Sequence, residues 1–260
     1  MAQTIDKQAV ADSFSKAASH YDQFAQLQRD IGEQLLSQVN ASSANTVVDL
    51  GCGTGYFSEK LDVQFPHSEL TCFDLSPAML NQTRQRELKN VHFQQGDIDQ
   101  LPFDENSVDL IYSNLVIQWS DDFCECLKQI KNSLKVGAKA YLSTLLIGTL
   151  DELTQAWKSV DDNPHTNRFL SLTDIENCLK QSGFSKTQLK KETRTLAYKN
   201  VLEVMRALKG IGANHVHDHQ ATKLTGKRLV KQLEMGYLPF KNEQGLLNLT
   251  YQVCYIEITK

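Results

Sequence analysis

The sequence predicts an α/β fold built on a seven-stranded, mostly parallel sheet. Three observations carry the prediction. Val47-Val48-Asp49-Leu50 reads as a short apolar strand ending in Gly51-Cys52-Gly53-Thr54-Gly55, after which Tyr56, Phe57, Leu61 and Val63 begin a helical spacing. Residues 45–147 go on alternating strand and helix, the pattern of a parallel sheet with right-handed crossovers. The chain has 260 residues, 41% hydrophobic and 22% charged, enough to bury one full α/β core with a smaller appendage.

The elements follow in order. In residues 1–40, Ala9, Phe14, Ala17, Ala18 and Tyr21, then Leu27, Ile31, Leu35, Leu36 and Val39, recur at helical spacing. This segment is expected to be a helical lid. The core is expected over 41–197. Its later strands are Leu70–Asp74, Val91–Asp97, Val108–Asn114 and Ala138–Leu145, the last entered through Val136-Gly137. Helices are expected near 151–159 and from about 172 to 182, then a strand within 185–197. The β-rich run Leu249–Ile258 makes the last strand, within 248–260. Residues 198–247 are too long for a hairpin, given usual connections of ~4–6 residues, and read as a helical insertion.

Ligands of open α/β sheets bind beyond the carboxyl ends of the strands, where strand order reverses. The loop after the first strand suits a nucleotide-like ligand, because glycines let the backbone approach closely and a helix N-terminus follows. A dinucleotide site needs G-x-G-x-x-G or Ala at the last place, and here that place is Tyr56. Asp49 completes D-x-G-x-G-x-G instead. That pattern resembles the class I S-adenosylmethionine (AdoMet) methyltransferases, a Rossmann-like family. Three further strand ends fall where the family needs them. Asp74, 25 residues after Asp49, is placed to accept both ribose hydroxyls. Asp97 is placed to accept from the adenine amino group, with the Ile98 N–H reaching a ring nitrogen. The fourth strand has a polar exit, Ser113-Asn114. The resemblance implies a cofactor set of Asp49, Gly51, Cys52, Gly53, Gly55, Asp74, Leu75, Met79, Asp97, Ile98, Ser113 and Asn114. S-adenosylhomocysteine is the implied product.

Other classes are set aside. No apolar run approaches the ~20 residues of a membrane span, and Met1–Lys7 holds no signal-peptide core, so a cytoplasmic protein off the membrane is expected. The six cysteines show no C-x-x-C or zinc spacing and are expected to be small buried thiols. His215, His217 and His219 alternate without a supporting carboxylate or Cys, so no metal is expected. Residues 186–231 hold eleven Lys and Arg against three acids, +8 in a chain of net charge −4. A solvated helix face and a steering surface for an acidic macromolecule both fit such a run. Nucleic acid is not expected as that partner. Ser113-Asn114-Leu115-Val116-Ile117-Gln118-Trp119 stands where an amino-directed nucleobase enzyme shows Asn/Asp-Pro-Pro-aromatic, and no Pro-Cys exists for a cytosine C5 enzyme.

A closer resemblance covers nearly the whole chain. Lys7-Gln8-Ala9-Val10 through Ala17-Ala18-Ser19-His20-Tyr21-Asp22, Ser113–Trp119, and Met205-Arg206-Ala207-Leu208-Lys209-Gly210-Ile211-Gly212-Ala213 are similar to the malonyl-acyl-carrier-protein O-methyltransferase family of the biotin pathway. The resemblance implies methyl transfer to the free carboxylate of a malonyl thioester. It also implies an acidic carrier protein docking on the basic 186–231 segment. Arg206 is the candidate for gripping the malonyl group, since a guanidinium holds a carboxylate in a planar fork. Tyr21, His20, Gln118 and Trp119 are the other acceptor-side candidates. A methyltransferase of a free quinone precursor or dicarboxylic acid, and a non-catalytic AdoMet-binding protein, are the alternatives.

Overall fold

A computed structural model describes residues 5–213 and 226–260. Helices α1 (Lys7–Ala17), α2 (Tyr21–Phe24) and α3 (Gln26–Leu36) precede β1 (Thr46–Leu50), α4 (Tyr56–Gln64), β2 (Glu69–Asp74) and α5 (Pro77–Thr83). Then come β3 (Val91–Gln95), β4 (Val108–Asn114), a 3-10 turn Ile117–Trp119, α6 (Phe123–Ser133) and β5 (Leu134–Leu145). The chain continues with α7 (Asp151–Trp157), α8 (Leu172–Ser182), β6 (Lys186–Tyr198), α9 (Val201–Gly210), α10 (Gly226–Tyr237) and β7 (Leu247–Thr259). The sheet order is β3-β2-β1-β4-β5-β7-β6, with β7 antiparallel to both its neighbours and the other pairings parallel. Strand order reverses between β1 and β4. Their carboxyl ends therefore open the crevice where this architecture binds ligands.

Local chemistry sets the helix boundaries. Ser76 caps α5 through Met79 N with Pro77 in the first turn, and Asp122 caps α6 through Glu125 N. Ser171 and Asp174 close a capping box on α8, which ends at left-handed Gly183. Two apolar layers cover the sheet. One includes α3 and the inner sides of α9 and α10; the other includes α6 and α8.

Three sequence expectations need adjusting. The described residues of the expected 1–40 lid are not uniform. On α3, Leu27, Ile31 and Leu35 are buried in the sheet-facing layer, and at about 1.5–3 kcal/mol per buried side chain they tie this helix to the core. Only α1 and α2 lie as a cover. β5 starts at Leu134, ahead of Ala138, and continues through Gly137 at φ +80°. Cys124 and Cys178 are not separate thiols: α6 and α8 pack side by side, bring their Cα atoms to 4.8 Å, and a disulfide joins them. A separation of 54 residues hid that proximity. Cys52, Cys72, Cys126 and Cys254 are buried thiols, as expected. No helix of the described residues is long and apolar enough to cross a membrane.

Candidate active site

The glycine loop is tied to the end of β2. Gly51 N and Cys52 N both donate to Phe73 O, at 2.7 and 3.0 Å. Gly51 has φ +77°, and a Cβ there would lie 2.2 Å from Val116 Cγ2, so both backbone and space demand glycine. Gly53 (φ +56°) faces open space. Asp74 holds this shape by accepting from Gly53 N through Oδ2 (2.9 Å) and from Ser76 N through Oδ1 (2.8 Å). Its carboxylate forms part of a cavity of about 100 Å³ together with Gly51, Gly53, Leu75 and Met79. Burial pushes its pKa up to about 6, against the pull of those two N–H groups. Behind the loop, Asp49 is 2% exposed and accepts the Ser58 hydroxyl at 2.6 Å. Burial, opposed by that bond and reinforced by the charge of Asp74, pushes it up to about 7.

Helices α1 and α2 close over this cavity through polar contacts at both ends. Lys7 Nζ meets Asp97 Oδ1 (3.1 Å), the Asp99 carboxylate and the Trp119 carbonyl (2.7 Å). Burial alone would push Lys7 down, but the Asp99 and Asp97 carboxylates hold it above the usual lysine range. Ser15 and Ser76 share a hydroxyl bond of 2.8 Å. At the other end, Thr54 donates to Asp22 at 2.7 Å and Arg86 Nη2 meets Asp22 at 3.1 Å. A second cavity, of about 330 Å³, adjoins the first, and Phe14, Tyr21, Leu115 and Trp119 line both. Phe14 and Trp119 pack edge to face at 5.5 Å. Leu115 holds its place at φ +57° with its N–H on Ser143 Oγ (2.9 Å), a strained backbone at the point where the chambers meet. The larger chamber is mostly apolar, with Trp157, Met205, Leu208, Leu229 and Tyr251 in its wall. Two glycines of α9 and its following turn clasp the cover: Gly210 packs on the Phe24 ring and Gly212 on Phe14.

A small crevice at the strand ends thus lies against an apolar chamber, with Phe14, Tyr21, Leu115 and Trp119 shared between them. A methyltransferase-domain family model matches residues 41–205. The malonyl-[acyl-carrier protein] O-methyltransferase of Serratia marcescens is 39% identical over 252 residues, 97% of this chain and 95% of that protein. The chain belongs to the malonyl-[acyl-carrier protein] O-methyltransferase family. The biotin biosynthesis bifunctional protein of Cellvibrio japonicus is 36% identical over 261 residues, and this chain spans 51% of its length. A putative methyltransferase from Bacillus halodurans has the same fold, with a TM-score of 0.63 at 15% identity, covering 89% of this chain and 99% of that one.

Within the fold of this methyltransferase family, the sequence-derived residues divide. Gly51, Gly53, Asp74, Leu75, Met79, Asp97, Ile98 and Asn114 line the smaller chamber. Asp49, Cys52, Gly55 and Ser113 do not reach it and act one layer back. Gly55 starts α4, Ser113 donates to Leu50 O at 2.8 Å, and Cys52 is buried beside Thr83. Tyr21 and Trp119 stand in the shared wall, and Gln118 lines the larger chamber with its amide on Leu115 O (2.8 Å). His20 and Arg206 stand outside both chambers. His20 turns to Phe24, edge to face at 6.0 Å, and lines neither chamber. Arg206 is exposed and lines neither, because Met205 and Leu208 hold the chamber-facing positions of α9 and one residue turns a helix by about 100°. His215, His217, His219 and Lys223 lie outside the described residues. Sequence reading also missed Lys7, Phe14, Asp22 and His165. Only Lys7 left a signal, a lone cation opening α1; the others declare themselves through tertiary partners.

Proposed function

We propose that this chain transfers the methyl group of AdoMet to the free carboxylate of a malonyl thioester borne by an acyl-carrier protein, early in pimeloyl and biotin synthesis. The observation that carries the reading is the shared wall. Family membership supplies the reaction, and the wall of Phe14, Tyr21, Leu115 and Trp119 puts a cofactor chamber against an acceptor chamber.

The residues of the smaller chamber fit AdoMet. Asp74 offers carboxylate oxygens at the end of β2 for ribose hydroxyls. Asp97 Oδ2 accepts no hydrogen bond from the described residues, although its Oδ1 is taken by Lys7 and Asp99 N. Asp49 and Asp74, both pushed up by burial, favour a ligand with positive charge. When bound, AdoMet supplies an electrophilic methyl on a sulfonium. A malonyl carboxylate ionises near the ~4 of side-chain acids, so it arrives as a nucleophile and no base is required. What remains for the protein is alignment and exclusion of water. Tyr21, Phe14 and Trp119 stand where the two reactants meet. Residues 5–22 serve as the cover over that meeting point, and Met205, Leu208, Ile211 and Leu229, from the described parts of 198–247, complete the acceptor chamber.

The carrier protein docks on α9 and α10. Lys227 and Lys231 border an open groove floored by Leu202, Val230, Met235 and Leu238, and Arg228 is exposed beside it. The exposed Lys186, Lys190 and Lys191 are on edge strand β6, where lysines also discourage edge-to-edge pairing. This narrows docking to the helical end of the basic segment. A cytoplasmic setting is part of this reading. The test compares AdoMet-dependent methylation of malonyl carrier protein, malonyl-CoA and free malonate. Methyl transfer chiefly to the carrier thioester is expected; turnover of free malonate alone would return the chain to a small-molecule methyltransferase.

A further inference from the structure

Among the described residues, the wall of the smaller chamber holds two acids, Asp74 and Asp97, and a single Lys or Arg, Lys7. Asp97 has a second acid close by. Asp99 follows it in the turn after β3, and both carboxylates are within reach of one ammonium. Two carboxylates so placed repel each other unless a cation lies between them. Lys7 is that cation. It opens α1, 90 residues away along the chain, and its Nζ meets Asp97 Oδ1 at 3.1 Å and the Asp99 carboxylate.

The two carboxylates are used differently. Asp99 is engaged through both oxygens: Oδ2 accepts from Lys7 and from Asp121 N (2.9 Å), and Oδ1 accepts the Ser120 hydroxyl. Asp97 is engaged on one side only. Its Oδ1 accepts from Lys7 and from Asp99 N (3.0 Å), while Oδ2 accepts nothing from the described residues, although Asp97 lines the chamber. The bond from Asp99 N belongs to the turn itself. The bond from Lys7 belongs to the cover, and it comes with the charge that offsets Asp99. Without it, Asp97 is held by one donor beside an uncompensated like charge. Lys7 also donates to Trp119 O at 2.7 Å, so the same ammonium ties α1 to the wall between the chambers. Burial alone would push Lys7 down, but Asp99 and Asp97 hold it above the usual lysine range, and it is a cation wherever the cover is closed.

We propose that Lys7 is a positioning residue on the cover: it aims the second oxygen of Asp97 at the adenine amino group, so the base is read in full only when α1 is closed. The proposal rests on the functional reading above, which sets adenine against Asp97. Coupling between two binding events is reciprocal. Whatever closure of α1 adds to recognition of the amino group, the amino group adds to closure of α1. A purine lacking that donor binds without drawing the cover down as firmly.

The test uses the full chain with S-adenosylhomocysteine and S-inosylhomocysteine, in which an oxo acceptor replaces the amino donor. Wild type should bind the adenine compound tighter by roughly tenfold or more, the loss expected for a hydrogen bond to a charged acceptor. Lys7→Met keeps the length of the side chain without its charge, and should shrink that preference by roughly fivefold. Lys7→Arg should restore most of it. Ser15→Ala loosens α1 at its bond to Ser76 and leaves Lys7 in place, so it should keep the wild-type preference. A lysine that only fastens the cover would instead weaken both compounds equally in Lys7→Met, and that result overturns the proposal. Because Lys7→Met could release α1 altogether, a second measurement uses wild type. At equal saturation, amide exchange in residues 7–17 should slow more with the adenine compound than with the inosine compound; equal protection overturns the proposal as well. A wild type that binds neither compound, or both alike, overturns the reading of this chamber as an AdoMet site, and the proposal with it.

Discussion

The two chambers are built from different materials. The smaller has a local base, glycine dihedrals, strand-end carboxylates and N–H groups held within a few residues of β1 and β2, over which Lys7, Phe14, Tyr21 and Trp119 close. The larger is made of side chains drawn from α1, α2, the 3-10 turn, the α7–α8 connection, α9, α10 and β7. A site of the first kind is fixed by local sequence and admits little variation. One of the second kind depends on how separate helices settle against each other. Reactant identity can change on that side without disturbing the cofactor.

That contrast can be broken by experiment. The largest effect expected is from Gly51→Ala. A left-handed φ combined with a methyl 2.2 Å from Val116 should cost about 2–4 kcal/mol in stability and abolish measurable cofactor binding. Gly212→Ala, crowding Phe14 instead, should leave AdoMet affinity within a few-fold while lowering turnover. Calorimetry and thermal melts on the two variants would show whether the chambers are separable.

Charge gives the next test. Asp49 and Asp74 have folded-state pKa values of about 7 and about 6, above the ~3.9 of an unfolded chain. Their contribution to stability is fully present below pH ~4, is lost as pH rises through 6 and then 7, and is level beyond. A cationic ligand favours the ionised forms, so AdoMet binding should release protons and tighten by about tenfold between pH 5.5 and 7.5. Calorimetry in buffers of different ionisation enthalpy reads the proton release directly. Asp74→Asn should remove the lower part of the pH dependence.

On the acceptor side the decisive variable is salt. Charge reversal at Lys227, Arg228 and Lys231 should lower kcat/KM for malonyl carrier protein several-fold at low salt. A short malonyl thioester should be almost unaffected. The difference should fade as the Debye length falls from ~10 Å at 0.1 M to ~3 Å at 1 M. Equal salt sensitivity of both substrates would make these residues a solvated helix face. The smallest effect belongs to the cover. Asp22→Ala removes the Thr54 bond and the partly exposed Arg86 pair, together about 1 kcal/mol, and should speed amide exchange in residues 7–22 without touching β1 or β2.

The same contrast explains what the sequence disclosed. Strand ends, caps and the glycine loop are local, so Asp74, Asp97 and Gly53 could be placed on the strand ends and loop that the family resemblance marks. Arg206 could not. Whether it faces the chamber or solvent is decided by the rotation of α9, which Val201, Val204 and Leu208 set by packing into the core. His20 stands next to Tyr21, yet one residue of chain separates a wall position from a contact with Phe24. The disulfide partners, and the pairing of His165 with Trp157, belong to the same class of facts. They exist only once separate elements have met.

The clasp of Gly210 and Gly212 on Phe24 and Phe14 has a kinetic consequence. The cover over the smaller chamber is itself held by the helix that walls the larger one. On the proposed function this predicts an ordered exchange, AdoMet before the acyl carrier, so S-adenosylhomocysteine should inhibit competitively against AdoMet and not against the acceptor in steady-state assays.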